Sequence, residues 1–163
     1  MKTNISLFLS PFVSVGLAFS PAEGIASTGC SSKLREIENE IASSHGGRVT
    51  QAFITSNTKR LPFKVDISTA SPSPMPGKPH LAIILLDGDY MPNTELMSNK
   101  AVLRGLAKTI LRSCSDVASV KFNWMWWTEG ISLQKNGQLG MDKCVHPSER
   151  PSGPRWGENL CKY

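Results

Sequence analysis

Asp87 and Asp89 flank a glycine directly after the apolar run 81–86. Carboxylates at a strand end are placed to serve as a general acid, a base or a metal ligand. The stretch Asp87-Gly88-Asp89-Tyr90-Met91 departs from a calcium loop, because it lacks the further oxygen ligands and the closing glutamate. The expected role of both aspartates is a turn that accepts backbone hydrogen bonds. His80 precedes the same run and reaches these carboxylates only if the proline-rich stretch beside it folds back. The chain has no GxSxG, HExxH or SxxK motif, so no nucleophile comes with a positioned base. Asp87, Asp89 and His80 are the candidate catalytic set, and they rank behind a binding role. No cofactor and no metal site are expected.

Two other groups carry binding chemistry. Trp124, Trp126 and Trp127 sit together in an alternating segment. On one continuous strand Trp124 and Trp126 share a face and Trp127 takes the other. With the first pair in the core, Trp127 is the expected stacking surface for a sugar or a partner side chain. Lys100, Arg104, Lys108 and Arg112 recur every four residues, with no acid between Glu95 and Cys114. On a helix this makes a strip of cations, either a solvated outer face or a seat for an anionic polymer.

These groups need a frame, and the cysteines and the N-terminus say which kind. Residues 1–26 read as a signal peptide: Lys2 is the early cation, an apolar stretch follows, and Gly24-Ile25-Ala26 supplies small residues before a cleavage ahead of Ser27. The apolar stretch is shorter than the ~20 residues that span a bilayer, so no transmembrane segment is expected after leader removal. Cys30, Cys114, Cys144 and Cys161 all follow the leader, where an oxidising compartment favours disulfides. None of them forms a CxxC pair, and His45, His80 and His146 are not spaced for zinc. Cys30 with Cys114 and Cys144 with Cys161 are the expected pairs among the three possible connectivities, ahead of lipidation at Cys30.

The net charge is +5 with 19% charged and 40% hydrophobic residues, the composition of a folded, basic domain. The leader carries one cation and one anion, so its removal leaves the charge unchanged. An exported basic protein meets anionic envelope polymers, glycans or acidic protein partners, and no nucleic acid is expected there.

Leu34, Ile37 and Ile41 at helical spacing predict a helix over 32–44, capped by Ser31-Ser32 and stopped by Gly46-Gly47. Strands are expected at 49–55 and 61–67, joined as a hairpin. The proline-rich stretch 71–79 is an exposed connection. The run 81–86 is continuously apolar and predicts a strand covered on both faces. A helix is expected over 95–113, then a strand from 120, a turn at Glu129-Gly130 and a hairpin turn at Asn136-Gly137. The last twenty residues lack periodicity and need a covalent tie.

The expected fold is one α+β domain over 27–163, with about six antiparallel strands and two helices mainly on one face. The expected function is nonenzymatic binding or inhibition in the periplasm or outside the cell. A small envelope hydrolase using Asp87 and Asp89, and a structural subunit of an envelope assembly, are the alternatives.

Overall fold

The computed structural model describes residues 28–55, 73, 75–125, 127–149 and 155–160. The leader, the expected strand at 61–67, Trp126 and Cys161 lie outside the described residues.

The first helix, α1 (Thr28–His45), starts earlier than Ser31-Ser32 implies. Cys30, Leu34, Ile37 and Ile41 form its buried stripe, the spacing that carries side chains onto one helix face. Next come β1 (Arg48–Thr55) and β2 (His80–Asp87). The expected single second helix is two, α2 (Tyr90–Ser98) and α3 (Lys100–Ser113). Asn99 separates them: its backbone N–H closes α2 on Glu95 and Leu96, while its side-chain oxygen accepts from Val102 N at 3.2 Å and caps α3. An asparagine that both ends and begins a helix carries the break without proline or glycine.

The chain continues through β3 (Val117–Trp124), β4 (Trp127–Leu133) and β5 (Leu139–Met141). Short β6 (Lys143–Val145), a 3-10 turn (Pro147–Glu149) and β7 (Glu158–Leu160) complete it. Among the described residues the main sheet has five strands in the order β1-β2-β3-β4-β5, and β6 pairs with β7 separately.

Two expectations about this sheet need correcting. It is mixed, because β2 and β3 run parallel. A strand, a helical excursion and a second strand beside the first form a crossover, which returns the chain in the same direction. The partner of β1 is β2, antiparallel. The turn expected at Glu129-Gly130 is also displaced. Trp124 pairs with Trp127, so the chain reverses between those two residues and Gly130 lies inside β4 opposite Lys121.

The hairpin expected at Asn136-Gly137 forms with a three-residue loop. Gln134 N donates to Gln138 O at 2.8 Å, and Gly137 takes the left-handed conformation that closes such loops.

The three α-helices among the described residues pack on one face. Their apolar stripes meet Ala82, Ile84 and Leu86 of β2, Val120, Phe122 and Trp124 of β3, and Ile131 of β4. The Cys30–Cys114 disulfide joins the start of α1 to the end of α3, with a Cα separation of 4.9 Å. With its sulfur in that bond, Cys30 has no thiol left for acylation. Cys144 is not a free thiol either.

On the opposite face of β2, Leu81, Ile83 and Leu85 form a small apolar cluster with Phe53. The same face of β3 is polar and buried, with Ser119, Lys121 and Asn123 taken out of water. No helix among the described residues is long and apolar enough to cross a membrane.

Candidate functional site

The catalytic candidates do not assemble. Asp87 closes β2 and pairs with Arg48 across the β1–β2 ladder, Nη2 to Oδ2 at 3.0 Å, with both side chains exposed. Asp89 precedes α2 at the N-cap position, yet its side chain makes no capping bond. Asn93 holds this turn instead. It is fully buried, and its Nδ2 donates to Asp87 O at 3.0 Å and Asp89 O at 3.1 Å. The aspartates therefore accept through their backbone carbonyls, from a residue the sequence reading passed over.

His80 opens β2, and the length of that strand, roughly 23 Å at ~3.3 Å per residue, separates it from Asp87. Its Nε2 faces Asp116 Oδ2 at 3.5 Å, and its backbone N–H donates to Asp116 O at 3.1 Å. Among the described residues no cluster of three His, Cys, Asp or Glu side chains is arranged to hold a metal ion.

The aromatic residues gather at the carboxyl end of the parallel pair β2–β3. Trp124 is buried against the helices and Tyr90 meets it edge-on, with ring centroids 5.3 Å apart. Trp127 is the cross-strand partner of Trp124, and such partners point to the same side of a sheet. The expectation that Trp127 takes the other face is therefore wrong. It fails because residue 127 belongs to the returning strand rather than the continuing one.

Trp127 is half-buried and already engaged. Lys100 Nζ sits over its ring at 5.5 Å, and its Nε1 donates to Glu129 Oε1 at 2.7 Å. Glu129 also pairs with Lys100 and closes the trio. Among the described residues, the large apolar side chains facing water here are Tyr90, Met91 and Met125, exposed by 62%, 73% and 59%. Met125, directly after β3, has a φ of 54°, a left-handed conformation that suits a tight reversal of the chain.

The basic strip is real as a surface. Lys100, Arg104, Lys108 and Arg112 are all exposed on α3, whose opposite side buries Leu103, Leu106, Ala107, Ile110 and Leu111. Lys100 is committed to Glu129 and Trp127, but Arg104, Lys108 and Arg112 have no carboxylate within ion-pair distance among the described residues. The four cations thus divide into one structural residue and three that face solvent.

The far face of the sheet holds a cluster absent from the sequence reading. Lys121 Nζ pairs with Asp142 Oδ2, donates to Asn159 Oδ1 at 2.6 Å and reaches Glu158 O at 3.3 Å. The Lys121 and Asp142 side chains are 5% and 0% exposed. Ser119 and Ser132 hydroxyls meet at 2.8 Å beside them, and Asn123 Nδ2 donates to Thr128 Oγ1 at 2.8 Å. Gly130 lies between Lys121 and Asp142, its carbonyl accepting from Asp142 N at 2.8 Å. A Cβ on Gly130 would fall on the Asp142 carboxylate and 2.7 Å from Lys121 Nζ, so the contact passes over a bare backbone.

Two sequence signals bear on this cluster: a lysine alternating with Val120 and Phe122 on a strand, and a glycine inside β4. Comparison with protein-family models, with curated proteins and with solved structures finds no match to this chain.

Proposed function

We propose that this protein is exported and works by binding, without turning over a substrate, an anionic polymer of the cell envelope or the extracellular space. The contact surface is the outer side of α3, where Arg104, Lys108 and Arg112 face solvent with no carboxylate partner among the described residues. That observation carries the reading. Cations left unpaired in one row release counterions when a polyanion lies along them, which is a large part of the affinity of such contacts. Tyr90 adds an exposed ring for sugar stacking at the carboxyl end of the parallel strands.

Export is supported by the Cys30–Cys114 disulfide, since such bonds persist in oxidising compartments, and by the composition of residues 1–26. The second bridge of this reading joins Cys144 to Cys161 and ties down the tail.

The test is retention on immobilised heparin, a sulfated polysaccharide, across a salt series. The wild-type protein is expected to elute at a salt concentration well above that of the triple variant R104E/K108E/R112E, whose affinity falls more than about tenfold. Equal retention of the two proteins overturns the reading.

A protein partner is the second reading, favoured by the exposed Tyr90, Met91 and Met125. It requires a partner whose binding survives the triple charge reversal and is lost in Met91→Ser and Met125→Ser.

A further inference from the structure

The polar cluster on the far face brings three reactive groups together: the Lys121 amine, the Asp142 carboxyl and the Asn159 carboxamide. They come from β3, from the residue after β5 and from β7. Lys121 Nζ contacts Asp142 Oδ2 and lies 2.6 Å from Asn159 Oδ1. All three residues are buried. Asp142 Oδ1 is also buried and has no hydrogen-bond partner among the described residues, so it is open to carry a proton. Gly130 leaves the space in which the amine and the carboxyl meet.

An amine, a carboxyl and a primary amide held in contact away from water are the reactants of an intramolecular transamidation. We propose that Lys121 and Asn159 become joined by an isopeptide bond, with Asp142 as the proton carrier. The ammonium of Lys121 gives a proton to the Asp142 carboxylate, and where neither charge meets water the neutral pair is accessible. The freed lone pair on Nζ attacks Asn159 Cγ, whose oxygen already accepts from Nζ. Asp142 passes its proton to the departing Nδ2 and recovers one from Nζ. The Nζ–Cγ bond forms, the Cγ–Nδ2 bond breaks and ammonia leaves. Asp142 ends protonated, and no oxidant, reductant or second reactant is required. Holding the groups in place replaces a bimolecular encounter, and burial keeps water from competing as the nucleophile.

Asn159 is the acyl donor rather than Asp142. A carboxylate that must accept the proton of the amine is a poor electrophile while it does so, whereas the carboxamide is neutral throughout. The product bond would tie the centre of the five-stranded sheet to β7.

The test is peptide mapping of the full-length exported protein after denaturation, reduction of disulfides and tryptic digestion. The expected product is a branched species in which peptide 113–135, uncut at Lys121, is joined to peptide 156–162 with the loss of one ammonia. Recovery of peptides cleaved at Lys121, with Asn159 intact, overturns the proposal. Loss of one water with Lys121 joined to Asp142 overturns the choice of donor. Asp142→Asn is expected to leave the two peptides unlinked, and linkage equal to wild type in that variant removes the proton-carrier role. The wild-type map decides whether the bond exists even if the variant does not fold.

Discussion

The two faces of the central sheet solve burial in opposite ways. On the helix side, Ile84, Val120, Phe122 and Ile131 meet the stripes of α1 and α3, and the contact is apolar throughout. On the far side, β3 presents Ser119, Lys121 and Asn123, which are just as inaccessible yet satisfied by hydrogen bonds to β4 and the tail. The apolar face gains from any close packing and tolerates exchange of similar shapes. The polar face gains only when every partner is in place, because an unpaired buried charge is costly. The first face therefore sets how firmly the sheet is held, and the second sets where the tail must lie.

Substitutions can break this comparison, and the largest effect is expected from the covalent tie on the helix side. Cys30→Ser with Cys114→Ser opens a loop with a sequence separation of 84 and is expected to cost about 4.5 kcal/mol in denaturant unfolding, by loop entropy. A similar loss, about 3–5 kcal/mol, is expected for Lys121→Met, which leaves the Asp142 carboxylate buried without its cation. The double variant Lys121→Met/Asp142→Leu should recover the part due to the unpaired carboxylate, and the part it does not recover measures the lost tie from Lys121 to Asn159. Ile84→Ala on the helix side is expected to cost about 2–5 kcal/mol through transfer and cavity terms. At the small end, Arg104→Glu lies outside both faces and should change stability by no more than about 0.5 kcal/mol, so that any loss of heparin retention reports binding.

The helix-side face was largely legible from sequence. Leu34, Ile37 and Ile41 mark the inner side of α1, the run 81–86 marks a strand covered on both faces, and the pairing of Cys30 with Cys114 follows from two helices lying on one sheet. Local periodicity records such contacts because an apolar stripe needs only an apolar neighbour.

The far face was not legible by the same means. Lys121 between Val120 and Phe122 has the pattern of a solvent-facing strand position, and only a distant segment of chain turns it into an interior one. Gly130 reads as a turn because a glycine in a strand usually marks irregularity, whereas here it makes room for two side chains above it. The parallel pairing of β2 with β3 follows from the helical segment between them, which the expectation of an antiparallel sheet left out of account. For the candidate surface, the cationic side of α3 was visible in the four-residue spacing. The commitment of Lys100 and Trp127 to Glu129 depends on the pairing of Trp127 back onto Trp124, which the alternation of the tryptophans hides.

The position of β7 along the chain gives the far face a calendar. Lys121 leaves the ribosome well before Asp142, and Asn159 follows later still. Until then the helix-side core can already be packing while the lysine stays hydrated. Closure of that side is accordingly a late event in the life of each newly made molecule, and it checks that the distal segment has arrived.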